Sequence, residues 1–85
     1  MSRIVLSDHA NAFLQQLPPA LQQRIRTRLD RLQHDPVPAD AKFLGRHEGE
    51  RVFRYRIGPY RAIYKLKHDI VYVSHIDKRS RVYDR

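Results

Sequence analysis

Leu21, Ile25, Leu29 and Leu32 recur at spacings of four, four and three, so they form one apolar stripe along a helix. A shorter helix precedes it, with Ala10, Phe13, Leu14 and Leu17 as its apolar positions and Ser7 or Asp8 as its cap. Pro18 disfavours helical geometry at Leu17, whereas Pro19 suits the first turn of the next helix. Short helix, Pro-Pro turn and longer helix make an αα-hairpin. The run "RIVLS" before it reads as a strand over about residues 2–7. Asp35-Pro36 ends the second helix, and "PVPADA" follows as a loop.

Beyond Ala41 the period changes from helical to two. "KFLGRH" predicts a short strand and "EGE" a turn. In "RVFRYRIG", Val52, Arg54 and Arg56 fall on one face and Phe53, Tyr55 and Ile57 on the other. "GP" turns the chain, and "YRAIYKLK" sets Tyr60, Ala62, Tyr64 and Leu66 against Arg61, Ile63, Lys65 and Lys67. "HD" is another tight turn. "IVYVSHI" is apolar at both parities, as a central strand covered on both faces would be. Two neighbouring strands thus carry one apolar-aromatic face, which must cover the helical stripe, and one basic face left open. The expectation is a single α+β domain over residues 1–85. An N-terminal strand and the αα-hairpin pack on one face of a twisted, mostly antiparallel sheet of about four strands.

Charge sharpens this picture. Seventeen Lys and Arg against nine Asp and Glu leave a formal charge of +8 on 85 residues. Such a field speeds encounter with polyanions and makes nucleic acid the leading partner class. Like charges clustered on one sheet face repel each other, which a polyanion on that face would relieve. At this length a fold buries only about 60–65% of the surface its unfolded chain exposes, enough for one core and a surface site. Cysteine is absent, which excludes a disulfide framework, a thiolate zinc site and a thiol nucleophile. The beginning, "MSRIVLSDHANAFLQQL", has no apolar stretch of signal-peptide type, and no run is long enough for a membrane span. The expectation is a soluble cytoplasmic protein without membrane partners.

Three segments carry a family resemblance. "FLQQLPPALQQRIRTRLDRLQHDP", "AKFLGRHEGERVFRYRIGPYRAIYKL" and "HIDKRSRVYDR" resemble, in order and spacing, the helical hairpin, central β-hairpin and closing Arg-x-x-Val-Tyr signature of the RelE/ParE superfamily of toxins from toxin–antitoxin pairs. The resemblance covers nearly the whole chain. It implies two helices packed on a mostly antiparallel sheet, and a cognate antitoxin that wraps the basic surface, with a toxin–antitoxin hetero-oligomer as the assembled form. It implies one of two activities: RelE-like members cut mRNA in the ribosomal A site, and ParE-like members poison DNA gyrase. The RelE-like catalytic positions fall on Arg61, Arg79 and Tyr83, a set that ParE-like chains usually lack. This favours a ribosome-dependent mRNA endoribonuclease that inhibits translation, with the ribosome and its mRNA as partners. The alternatives are a gyrase inhibitor and a non-catalytic RNA- or protein-binding degenerate toxin.

RNA is cut most simply by its own ribose. The 2′-OH attacks the adjacent phosphate, giving a 2′,3′-cyclic phosphate and a 5′-OH, and no metal or cofactor is expected. Arg61 and Arg79 suit the negative charge that builds on the phosphorane oxygens. Tyr83 suits a base stack or a hydrogen bond to the attacking hydroxyl. Arg54, Arg56, Lys65, Lys78 and Arg81 are the candidate substrate-binding cations. The resemblance departs at Arg54 and Arg56, where the best-known RelE pattern has lysines. An arginine stays protonated and makes a poor base, so Lys78 and His75 are the substitutes, with His75 the candidate general base. Strand alternation alone leaves His75 on either face. His9, His34, His47 and His68 sit at helix ends or turns and read as solvated, and no histidines are spaced as a metal pair. Arg24, Arg28 and Arg31, flanking the long helix's stripe, read either as phosphate contacts or as a solvated edge whose stems cover apolar surface.

Overall fold

The computed structural model describes residues 2–78. Strand β1 (Arg3–Leu6) leads into helix α1 (Asp8–Gln15), and the Pro18-Pro19 turn into helix α2 (Pro19–Asp30). A 3₁₀ turn, Arg31–Gln33, extends α2 and carries the last stripe residue, Leu32. Four strands follow: β2 (Ala41–His47), β3 (Glu50–Ile57), β4 (Tyr60–Lys67) and β5 (Ile70–Lys78). Ser7 is the cap of α1, its Oγ accepting from the Ala10 amide at 3.0 Å, while Pro19 opens α2 where a missing N–H does no harm. The last four strands form a meander closed by two-residue turns. Glu48 and Gly49 have φ of 53° and 83°, and Gly58 has 58°, a left-handed conformation that a residue without Cβ adopts at no steric cost.

The sheet order is β1-β5-β4-β3-β2. The expected sheet of about four strands therefore has five. "RIVL" joins it as an edge strand, parallel to β5, with Ile4 opposite Val71 and Leu6 opposite Val73. β5 is an interior strand, bonded on both sides, but only one of its faces is covered: Val71, Val73 and Ile76 are buried, whereas Ile70 and Tyr72 on the other face are half-buried.

Both helices cover one face of the sheet, and the core lies between. Ala10, Leu14, Ile25, Leu29 and Leu32 meet Phe53, Tyr55, Ile57, Ala62, Tyr64, Val71, Val73 and Ile76, all buried. Every residue of the apolar face read from β3 and β4 points here, with Leu66 partly buried at its edge. Phe53 stacks on Tyr64 with ring centroids 5.4 Å apart, and Phe13 meets Tyr60 edge-on at 5.8 Å. The Tyr64 hydroxyl donates to the Pro36 carbonyl at 2.6 Å, which anchors the loop after α2. Burial raises the pKa of that hydroxyl well above the ordinary tyrosine range, so it remains a donor. Truncating a core leucine such as Leu29 to Ala would cost about 2–5 kcal/mol, a large fraction of a small domain's stability.

Candidate nucleic-acid interface

Among the described residues no helix lies over the opposite face of the sheet. Strand pairing sorts its side chains into rows. Arg56 stands opposite Arg61, and Arg61 opposite Asp77. In the next row Lys42 faces Arg54, Arg54 faces Ile63, and Ile63 faces His75. The row after that runs Gly45, Val52, Lys65, Tyr72 and Val5. Paired residues place their Cβ atoms about 5 Å apart and diagonal neighbours about 7–8 Å, so Arg54, Arg56 and Arg61 come within reach of one phosphodiester. Arg54 and Arg61 are half-buried and engaged by neighbours, whereas Arg56 and Lys42 are exposed. A guanidinium that is held pays less to orient toward a ligand.

The other candidates divide. Lys65 lies on the same face but two rows from the Arg56–Arg61 pair. Its ammonium is 3.6 Å from Glu50 Oε1 and lies over the Tyr72 ring, 5.6 Å from its centroid. Lys67 shares the same carboxylate at 3.7 Å. Lys78 pairs with the core residue Tyr60, which sets it on the helix side at the end of the sheet. That register does not bring it to the face of Arg61, because an odd number of positions separates it from Asp77. The candidates Arg79, Arg81 and Tyr83 lie outside the described residues.

His75 is on the open face, and a β-bulge puts it there. Pairing steps from Tyr64 opposite Val73 to Ile63 opposite His75, leaving Ser74 as the extra residue. Straight alternation from Val71 and Val73 would have turned His75 into the core; the bulge turns in Ile76 instead. The His75 ring lies 4.8 Å from that of His9, centroid to centroid, at the start of α1.

Arg28 behaves as a structural residue rather than a phosphate contact. Its Nη2 donates to the Arg56 carbonyl at 3.2 Å and, at 3.4 Å, to the Tyr55 hydroxyl, and its guanidinium lies over the Tyr55 ring at 5.3 Å. Asp40 is 3.6 Å away. Arg28 and Arg24 also line a cleft of about 220 Å³ between α2 and the β3–β4 turn, on the helix side of the sheet. Reading the chain missed Lys42, His9 and Asp77 as members of the open-face cluster. A second bulge, between Phe43 and Gly45, breaks the parity count through β2, so only the pairing of Lys42 with Arg54 reveals it. Among the described residues no three His, Asp or Glu side chains gather as metal ligands would. Among the described residues no helix is long and apolar enough to cross a membrane.

Comparison with known proteins agrees with this architecture. Residues 4–83 match the model of the family described as the ParE toxin of type II toxin–antitoxin system, parDE. The fold is similar to a chain of the archaeal RelE–RelB complex from Pyrococcus horikoshii OT3, with a TM-score of 0.82 and 27% identity over 95% of this chain and 98% of that one. It is similar to a chain of the toxin–antitoxin complex RelBE2 from Mycobacterium tuberculosis, with a TM-score of 0.74 and 26% identity over 92% and 98%. The isolated E. coli RelE toxin, at a TM-score of 0.70 and 20% identity over 98% and 92%, shares the fold alone. No curated protein matches the chain.

Proposed function

The chain belongs to the RelE/ParE superfamily of toxins from type II toxin–antitoxin systems, and we propose that it is an endoribonuclease that cuts mRNA on the ribosome and so stops translation. The observation that carries this reading is the gathering of Arg54, Arg56 and Arg61 over two adjacent rows of an uncovered sheet face. Arg56 and Arg61, directly opposite each other, repel, and Asp77 on the far side of Arg61 is the one carboxylate that the described register sets against three arginines and Lys42. A phosphodiester between Arg56 and Arg61 turns that repulsion into charge-assisted, bidentate hydrogen bonding.

In this reading Arg61, half-buried and held, meets the charge that develops on the phosphorane as the ribose 2′-oxygen attacks. Arg54 and Arg56 hold the flanking backbone, with Lys42 beside them. Arg79 and Tyr83 complete the set that the superfamily resemblance assigns, Tyr83 stacking on a base or bonding the attacking hydroxyl. Lys65 and Lys67, already engaged by Glu50, contribute field rather than direct contact. The antitoxin partner is proposed from the two complexes above, in which relatives are seen as RelE–RelB and RelBE2 assemblies.

The match to a ParE family model supports a second reading, inhibition of DNA gyrase. One pair of assays separates the two. Primer extension on mRNA in a purified translation system should reveal new 5′ ends within codons on addition of the toxin. A gyrase supercoiling assay with the same protein should show no inhibition. The opposite pair of results would replace the first reading by the second, and inactivity in both would leave a binding module.

A further inference from the structure

The mechanism above needs a group that takes a proton from the ribose hydroxyl, and arginines do not serve. From the hydrogen bonds around the β5 bulge we infer that Ser74 is a positioning residue that holds His75 as its Nδ1–H tautomer, so that Nε2 of His75 is the base. The inference rests on the endoribonuclease reading. A serine hydroxyl carries one proton. The Ser74 hydroxyl donates it to the Ile63 carbonyl at 3.2 Å. Nδ1 of His75 lies 3.1 Å from the same oxygen. In this arrangement Ser74 Oγ, its proton directed at Ile63, accepts from the ring, so that Nδ1 carries the ring proton and Nε2 presents its lone pair.

The backbone under this pair is fastened from a distant part of the chain. Ser7 Oγ donates to the Ser74 carbonyl at 2.7 Å while accepting from the Ala10 amide at 3.0 Å. The Ser7 amide donates to the Val73 carbonyl at 2.9 Å. One hydroxyl thus joins the cap of α1 to the bulge of β5, and the same joint brings the His9 ring against His75. The charged or titratable groups around His75 are His9 from α1, Arg61 from β4, Arg54 from β3 across Ile63, and Asp77 on its own strand. His75 is exposed, so a ribose can reach it.

The step balances within the substrate and solvent. The O–H bond of the 2′-hydroxyl breaks and its proton moves to Nε2 of His75. The 2′-oxygen forms its bond to phosphorus, and the bond from phosphorus to the 5′-oxygen breaks. The departing 5′-oxygen takes a proton from water, and His75 returns its proton to solvent. The products are the 2′,3′-cyclic phosphate and the 5′-OH.

Two measurements test this. Long-range ¹H–¹⁵N correlation spectra of the free wild-type toxin, at a pH where its histidines are neutral, should show His75 protonated at Nδ1. Ser74→Ala should shift it toward the Nε2–H form, and Ser74→Thr, which keeps the hydroxyl, should restore Nδ1–H. In single-turnover cleavage on the ribosome, His75→Gln should lose about 10²–10⁴-fold in rate. Ser74→Ala should lose roughly tenfold, the factor that one hydrogen bond is worth, with recovery in Ser74→Thr. Wild-type His75 in the Nε2–H form, or His75→Gln cleaving at the wild-type rate, overturns the inference while the endoribonuclease reading stands. A wild-type chain that leaves mRNA uncut overturns that reading, and the role of His75 as base with it.

Discussion

The open face of the sheet has two ends, and they differ in how their charge is answered. At one end Lys65 and Lys67 share the carboxylate of Glu50, whose side chain is only 23% exposed, and Lys65 lies over Tyr72. At the other, Arg54, Arg56, Arg61 and Lys42 gather, and among the described residues the register brings a single carboxylate, Asp77, beside them. Both ends come from the same strict alternation in β3 and β4. Alternation therefore says which face is basic, but not where on that face the charge remains available. Two lysines at one end share one acid, and at the other three arginines and a lysine gather beside one.

Among substitutions that probe the two ends, the largest expected effect comes from Arg61→Ala, which should lower the single-turnover cleavage rate by roughly 10²–10³. Ribosome binding, followed by a binding isotherm, should change little, because the other cations hold the RNA. Lost binding with an unchanged single-turnover rate would make Arg61 a positioning residue and remove the distinction between the two ends. Arg28→Ala sharpens the contrast from the helix side. It should destabilise the fold by about 1–2 kcal/mol in urea denaturation, from its contacts with Tyr55 and the Arg56 carbonyl, with the cleavage rate per folded molecule unchanged. Arg56→Ala should weaken RNA binding and reduce the slope of log K against log salt by about one unit, the signature of one lost phosphate contact. The smallest effect belongs to Glu50→Gln. Releasing Lys65 and Lys67 should tighten non-specific RNA binding by a few fold at low salt and steepen its salt dependence. If Glu50→Gln left both unchanged, the two ends would differ in position but not in charge availability.

Much of this molecule was legible before its structure. The stripe from Leu21 to Leu32, the Ser7 cap, the turns at Gly49 and Gly58 and the two faces of β3 and β4 all follow from local chemistry that no tertiary contact overrides. The residues that escaped lie where the count of two is interrupted. In β5 the extra Ser74 decides the face of His75, and nothing in a strand apolar at both parities marks the insertion. In β2 the irregularity after Phe43 hides Lys42. His9 and His75 are far apart in sequence and meet only because α1 starts where β1 leaves β5. Lys78, a candidate substrate-binding cation in the sequence, lies opposite Tyr60 on the helix side, a placement that only the pairing of β4 with β5 reveals. The two readings of Arg28, phosphate contact or edge residue covering apolar surface, could not be separated in the sequence, because a long side chain reaches partners that periodicity cannot name.

The tie between Ser7 and Ser74 spans 67 positions of the chain, and it sets an order of events. The hairpins from β2 to β5 close through two-residue turns and can form early, whereas β1 must find β5 across nearly the whole sequence. The β1–β5 seam is therefore expected to zip last and open first. Hydrogen exchange should show the amides of Arg3 and Ser7, which bond to Asp69 and Val73, exchanging faster than those paired between β3 and β4. The carbonyl of Ser74 is gripped only when that seam is shut. A partly opened chain would keep the basic rows of β3 and β4 and lose the grip on the Ser74 carbonyl that fixes the backbone beside His75.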